Sequence, residues 1–392
     1  MSSWLPEGGT NLFQAIKAKC KDAEEKGQKL WRLSIGQPSG PALTSARITA
    51  GEAVESEQES MHEYQDNGSS GVPDFAQRFV QAHLRTDLTN QIVSFLPIPG
   101  IKPMLGLILL ACNAPNDEIL VRTMTDPGYP TPADWCRYLQ LEPIPLGTNM
   151  KNKFRFEVKD IKPGTALVMM NYPANPHGQV ATRQWLQKLC QHCQDNKIRL
   201  FNDAAYAMLA FGKSHWTLTD IAVDYPALSW VEAFSASKAI GNGTGWRVGA
   251  MVGSPDFISD IATIKGNTDS GFVAFAAAGV LYAVENDMAR IEKIKATYKL
   301  RLAWLIKALQ SQGMKLAVRP KAGFFSLWQV PKKAFGQKIA SAQQFNFLMI
   351  GKTGIVGVHF HPYIRYAVVA PLEKPEWQQA ITQAFKQAKV KY

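Results

Sequence analysis

The run FSASKAIGNGTGWRVG, residues 234–249, sets an amine, two hydroxyls and a guanidinium around a glycine-rich stretch. Lys238 follows the run SWVEAF, near the end of an expected strand, where its side chain can enter a crevice. Desolvated there, an ammonium loses its proton more readily, and the neutral amine is a nucleophile toward an aldehyde. Ser235 and Ser237 offer hydroxyl donors, and Arg247 offers a planar fork that matches a phosphate dianion. The glycines at 241, 243, 245 and 249 let the backbone approach a ligand closely or take positive φ. A lone lysine in such a place is ordinarily a solvated charge. A simple glycine-rich hairpin, however, needs neither the serines nor the lysine.

Two further clusters carry polar groups at expected strand ends. In FNDAAYAML (201–209), Asp203 can hold a proton on a heteroaromatic nitrogen, and the Tyr206 phenol can reach the same ligand. The plainer reading of this pair is a strand-end cap beside a core tyrosine. In NYPANPHG (171–178), Pro173 and Pro176 restrict the backbone to an extended turn from which Asn175 presents its amide. A turn without function is the alternative.

The elements that must position these groups read as an alternation of strands and helices. Short apolar runs at 118–124, 166–171, 198–202, 229–234 and 248–252 have the character of buried parallel strands. Amphipathic stretches separate them. One is a helix over 182–194, expected to be capped by Thr182, and another is marked by Val72, Phe75, Phe79 and Ala82. Cys190 and Cys193 form a CxxC, but they share helical spacing with Trp185, Leu186 and Leu189, so packing explains them better than metal or redox chemistry. Beyond about residue 280, Ile291, Ile294, Tyr298, Leu302, Leu305 and Leu309 form one stripe ending at Gly313, long enough to bridge into a second domain. A last helix begins at Pro375 and carries Trp377, Ile381 and Phe385. The expected fold is α/β: a large domain with a mostly parallel sheet sandwiched by helices, and a smaller α+β domain. The large domain spans 45–285, and the small one combines 1–44 with 286–392. In such sheets ligands bind beyond the carboxyl ends of the strands, where the three clusters fall.

Composition narrows the function classes. With 46% hydrophobic and 19% charged residues over 392 positions, the chain has ample material for a packed interior. The longest apolar run, Met104 to Cys112, is about half of what a bilayer helix needs. The start MSSWLPEGGTNLFQ has no basic segment followed by an apolar stretch, so a cytoplasmic protein is expected. Five scattered cysteines do not suggest a disulfide framework. The net charge of +11 is spread along the chain without a recognised nucleic-acid motif. It suits small anions rather than nucleic acid, and no metal site is expected.

Taken together, the runs resemble the class I and II aminotransferases of the fold-type I pyridoxal phosphate enzymes. NxPxNPxG, then NDxxY, then SxSK with a downstream GxRxG carry the resemblance, which covers about residues 30–370. It implies that Lys238 joins the aldehyde of pyridoxal 5'-phosphate covalently, while Ser235, Ser237 and Arg247 grip its phosphate. It further implies that Asp203 keeps the pyridine nitrogen protonated and that Tyr206 and Asn175 bond the phenolic oxygen. Gly100, Ile101 and Lys102 in LPIPGIKPMLGL match the phosphate loop at a helix start, and Tyr129 in DPGYP matches the aromatic covering the ring. Tyr64 in YQDNGSSG matches the tyrosine that a neighbouring subunit lends to the phosphate, which implies a homodimer. Gly36 in LSIGQP and Arg365 in YIRYAVV match the groups around the substrate α-carboxylate.

The chain departs from the family pattern at two positions: Lys238 to Arg247 is one residue longer than usual, and His177 stands where threonine is commoner. Within the family, IKGNTDSGF (264–272) is similar to the branch acting on LL-diaminopimelate or its N-acylated form, in which the position of Ser270 approaches the neighbouring subunit's site. Asn11 stands where diaminopimelate enzymes typically carry a tyrosine, so aspartate, alanine and aromatic amino acids stay open as substrates. Two other readings keep the cofactor: a β-lyase acting on a sulfur amino acid, and a non-catalytic binding protein. About 30 residues precede LSIGQP, too few for the DNA-binding module that regulators of this type carry.

Overall fold

The computed structural model describes residues 12–112 and 121–392. Its centre is a seven-stranded sheet in the order Ser94–Ile98, Gly249–Gly253, Trp230–Ser235, Arg199–Asp203, Thr165–Met170, Val121–Asp126, Pro143–Gly147. The last five are joined by parallel pairings, whereas Gly249–Gly253 runs antiparallel to both of its neighbours. Three expected strands lie within one residue of the observed ones. Residues 118–120 of a fourth fall outside the described residues, and the fifth, expected among the parallel strands, is the antiparallel one.

Both edge strands escape a reading by apolar runs. Ser94–Ile98 contains Pro97, and Pro143–Gly147 contains Pro143, Pro145 and a glycine. Proline cannot donate to a ladder, so it discourages a strand reading and is tolerated at an edge, where one side needs no partner.

Helices cover the sheet because their apolar faces have nowhere else to go. Along Arg183–Asp195 the buried residues are Leu186, Leu189, Cys190 and Cys193, one face of the helix. Each leucine so buried contributes about 2 kcal/mol. The two cysteines are core thiols: burial pushes Cys193 up to about 12 and Cys190 well above its ordinary value. Thr182 occupies the N-cap position, yet its hydroxyl makes no capping bond; the Trp185 indole instead anchors this turn by donating to the Phe156 carbonyl at 2.9 Å.

A second, antiparallel sheet of four strands has the order Val358–Phe360, Tyr363–Ala367, Phe325–Gln329, Leu316–Val318. The helix Met288–Ser311 connects the two apolar interiors: Ile291 packs in the core of the large sheet, and Tyr298, Leu302, Leu305, Ile306 and Leu309 pack in that of the small one. Gly313 follows this helix with φ +86°, the left-handed turn that a side chain would resist. The first described helix, Leu12–Glu25, packs Ile16, Cys20 and Ala23 against Ile350, Val356 and Val358, so the N-terminal segment shares a core with the C-terminal part.

Candidate active site

Four adjacent strands deliver polar side chains at their carboxyl ends, and these meet in a cavity of about 620 Å³. Tyr129 follows Val121–Asp126, Asn171 and Asn175 follow Thr165–Met170, Asp203 ends Arg199–Asp203, and Ser235 ends Trp230–Ser235. Parallel strands pointing the same way bring these ends to one edge, so residues tens of positions apart become neighbours.

Lys238 sits in the short helical turn Ala236–Ala239. Ser235 Oγ accepts from the Ser237 amide at 3.1 Å and donates to Ser237 Oγ at 2.9 Å, so each serine fixes the other. Burial pushes the Lys238 amine below its ordinary value; Asp203 opposes the shift and Arg247 adds to it. The amine stands 5.6 Å from the centre of the Tyr206 ring.

Arg247 reaches the same cavity in spite of the lengthened loop. Its own φ is +56°; Nη1 donates to Thr244 O at 2.9 Å and Nη2 to Pro99 O at 3.0 Å. The guanidinium thereby lies against Gly100, which has φ +86° and where an added Cβ would stand only 2.4 Å from Nη2. Gly100 precedes the helix Ile101–Ala111, whose unpaired first amides favour an anion, and Ile101 and Lys102 line the cavity.

Asp203 is 8% exposed. Its Oδ1 accepts from the Ala205 amide at 3.1 Å, and burial pushes its carboxyl up to about 6 against the pull of that amide and of Lys238. Asn171 Nδ2 donates to Asp203 O at 2.7 Å, while Asn171 Oδ1 accepts from the Asn175 amide at 2.8 Å, tying two strand ends together. Pro173 and Pro176 both follow cis peptide bonds in this turn. His177 turns away into the core: it is 1% exposed, its ring centre lies 4.9 Å from that of Phe154, and burial pushes it down to about 3, so it is neutral.

Arg365, on the small-sheet strand Tyr363–Ala367, closes the cavity from the other side. It is 1% exposed and stacks 4.1 Å above the Phe325 ring. Nη1 donates to Asn175 Oδ1 at 2.7 Å and Nη2 to Ser34 O at 2.9 Å, which brings the Gly36 segment alongside. Nε has no partner. Burial lowers the guanidinium to about 10, leaving it charged at neutral pH.

Of the residues expected at the site, Gly36, Ile101, Lys102, Tyr129, Asn175, Asp203, Tyr206, Ser235, Ser237, Lys238, Arg247 and Arg365 all line this one cavity. Tyr64 and Ser270 do not: Tyr64 is 78% exposed and Ser270 is also on the surface. They are neighbours there, since the Gln65 and Asp66 amides both donate to Ser270 O, at 3.2 and 3.0 Å. Asn11 lies outside the described residues. Sequence reasoning passed over Asn171, Trp135, Thr244 and Phe13, which also line the cavity. Asn171 had a signal, as the first letter of the proline-rich turn; the other three lie in helices or loops where nothing local marks them. No group of three or more metal-ligating side chains and no helix able to cross a membrane occurs among the described residues.

Comparison with known proteins agrees with this architecture. The family described as aminotransferase class I and II matches residues 28–382. The chain is 30% identical over 351 residues to the LL-diaminopimelate aminotransferase of Methanocaldococcus jannaschii, covering 86% of this chain and 80% of that one. It is 28% identical over 377 residues to the LL-diaminopimelate aminotransferase of Natranaerobius thermophilus, covering 93% of each. Among solved structures, substrate-bound BacF from Bacillus subtilis superposes with a TM-score of 0.82 at 19% identity, over 98% of this chain and 96% of that one. An aspartate aminotransferase variant of Thermus thermophilus does so with a TM-score of 0.80 at 17% identity, over 97% and 96%. These two show the fold, while the family match over most of the length gives the kinship: the chain belongs to the class I and II aminotransferases, pyridoxal phosphate enzymes that move an amino group between an amino acid and a 2-oxo acid.

Proposed function

We propose that the cavity binds pyridoxal 5'-phosphate covalently through Lys238 and transfers the amino group of a diaminopimelate-type amino acid to a 2-oxo acid. The observation that carries this is the convergence of Lys238, Asp203 and the Ser235, Ser237, Arg247 set on one cavity. Three features fit that group. Asp203 is a buried carboxylate whose one hydrogen bond to a described residue comes from the Ala205 amide, so a protonated ring nitrogen would satisfy it. Gly100 leaves no side chain between the helix start and Arg247, as a phosphate cradle requires. Arg365, which lines the cavity, has a buried Nε with no partner among the described residues, a cationic donor that a carboxylate would satisfy.

When bound, the cofactor supplies an electron sink for the carbanion formed at the substrate Cα. The chain's own residues do the rest. Ser235, Ser237, Arg247 and the Ile101 and Lys102 backbone hold the phosphate. Tyr206 and Asn175 bond the phenolic oxygen; Asn175 Oδ1 is already occupied by Arg365, which leaves its Nδ2 to donate. Tyr129 covers the ring. Arg365, with the Gly36 segment, holds the α-carboxylate and thereby aims the Cα–H bond at Lys238. The Lys238 amine, whose affinity for a proton burial lowers, takes that proton and returns it, which is general acid and base work.

The same reading treats 45–285 as the cofactor domain and 1–44 with 286–392 as the small domain, supported by the two separate cores that Met288–Ser311 joins. It also makes the enzyme a cytoplasmic homodimer in which Tyr64 and Ser270 serve the neighbouring site, supported by their exposure side by side. The diaminopimelate assignment draws on the names of the relatives.

The test is spectroscopic. Purified protein incubated with the cofactor is expected to show a visible band that an amino acid substrate converts and a 2-oxo acid restores. Lys238→Ala removes that band and lowers turnover by about 10⁴ or more. An unchanged Lys238→Ala enzyme defeats the proposal, and pyruvate and ammonia released without amino transfer would make the protein a β-lyase.

A further inference from the structure

Away from the active site, a cavity of about 320 Å³ lies between the helix Met288–Ser311 and the chain segments at 211–212 and 319–321. That volume is within the usual range of small-molecule sites. Its floor is apolar: Leu302 and Ile306, one helical turn apart, are each 3% exposed, and Phe211 and Pro320 complete it. Its rim is cationic, with Lys299, Arg319 and Lys321 exposed around it and no carboxylate in the lining. Two nearby cations on the helix are paired, Lys295 with Glu292 and Arg301 with Glu373. Lys299, Arg319 and Lys321 have no ion-pair partner among the described residues.

The segment 319–321 is also tied to the active site from behind. The Lys321 amide donates to Gly178 O at 2.7 Å, Gln179 Nε2 donates to Arg319 O at 2.8 Å, and the Phe211 amide donates to Lys321 O at 2.7 Å. Gly178 packs so closely on this segment that an added Cβ would stand 2.8 Å from Pro320 Cβ. Gly178 and Gln179 close the turn that presents Asn175: the Gly178 amide donates to Ala174 O at 2.8 Å, and the Ala174 amide to Gln179 O at 2.9 Å.

We infer that this cavity is an effector site for an organic phosphate with an apolar body, and that its occupancy is felt at the Asn175 turn. Three unpaired cations exceed what a single carboxylate balances, whereas a phosphomonoester carries about 1.5 to 2 negative charges at neutral pH. Arg319 offers the fork that matches its oxygens, and the two lysines add point charges. The apolar floor takes the body of the ligand out of water. Inorganic phosphate lacks that body, and a neutral ring lacks the charge. A ligand that bridges Lys299 on the helix to Arg319 and Lys321 on the segment fixes the two together, and so restrains the turn bonded to that segment.

Phenyl phosphate is the probe, with inorganic phosphate and phenol as its two halves. Calorimetry on the holoenzyme, whose own phosphate cradle is filled, is expected to show phenyl phosphate binding at least about tenfold tighter than either half. Lys299→Glu and Lys321→Glu, both at exposed positions, are each expected to weaken it by about tenfold or more, and Lys299→Arg to leave it within about twofold. Hydrogen exchange then reads the turn. The stretch 172–180 is expected to exchange about threefold more slowly or better with phenyl phosphate bound, and to show no such protection in Lys299→Glu.

Phenyl phosphate that binds no better than its halves, or that ignores both glutamate substitutions, would overturn the site. Binding without protection of 172–180 would overturn the coupling to the turn. Neither measurement reads turnover, so both decide the inference whichever amino acid the enzyme accepts.

Discussion

Arg365 Nη1 donates to Asn175 Oδ1 at 2.7 Å, joining the small antiparallel sheet to the turn that follows a strand of the large one. Both groups are buried, so removing one leaves the Nη1 or the Oδ1 of the other without this bond. Asn175→Ala is expected to lower kcat/KM for amino acids by about tenfold to a hundredfold and to cost about 2 kcal/mol of stability. Arg365→Lys loses the planar fork and is expected to raise KM by about a hundredfold. Because the two act as a unit, the double variant should lose less than the sum, with a coupling of about 1–3 kcal/mol in a double-mutant cycle. Additive losses would show that the bond does not couple the two groups.

Gly100 and Arg247 are the tightest approach in the phosphate region. A methyl at position 100 meets the guanidinium at 2.4 Å, and its φ of +86° is strained for any other residue. Gly100→Ala is therefore expected to push Arg247 out of place and weaken cofactor affinity by about tenfold to a hundredfold, read by equilibrium dialysis. Arg247→Lys keeps the charge but not the fork and should weaken binding to a similar degree.

Asp203 ties function to pH. Its carboxyl titrates near 3.8 when unfolded and is pushed up to about 6 by burial in the ligand-free fold. The folded state therefore binds the proton more tightly, and ligand-free stability falls as pH rises between those two values, by about 3 kcal/mol at most. Asp203→Asn removes that loss. The cofactor-free variant is expected to melt higher than the parent above pH 6, with a flatter pH profile, while turnover of the loaded enzyme falls by at least about a hundredfold. A parallel drop in stability and activity would contradict this.

Much of the site was legible because its chemistry is local in sequence. Ser235, Ser237 and Lys238 lie within four positions, and Asp203 and Tyr206 within another four, each beside an apolar run that reads as a strand. Parallel strands then guarantee a shared edge. The Arg365 to Asn175 bond was hidden, since it spans 190 positions and depends on how the two sheets meet. So was the seat of Arg247: counting residues showed a longer loop, but not that Thr244 and Pro99 carbonyls would bring the guanidinium back. The proline-bearing edge strands failed for a local reason, because the residue that marks an edge is also the one that argues against a strand.

Tyr64 and Ser270 give the proposed dimer its sharpest test. Tyr64 lines no part of its own chain's cavity, and the amides beside it anchor on Ser270 O. The intervening segment is also pinned by Lys265, fully buried, which donates to Asp66 O at 3.0 Å and to Asp269 at 2.7 Å. Such pinning holds Tyr64 at a fixed place on the surface, as a group serving another subunit must be. If it does, Tyr64→Ala on one subunit and Lys238→Ala on the other fall in the same site of a hybrid dimer, leaving one site with both defects and one intact. Random reassortment of equal amounts makes half the dimers hybrid, so activity is expected to recover to about a quarter of the parent value. The measurement is turnover after mixing under mild denaturant and refolding, with each variant alone as the baseline. Two inactive variants that stay inactive when mixed, while hybrid dimers are seen by mass spectrometry, would place Tyr64 outside the neighbouring site.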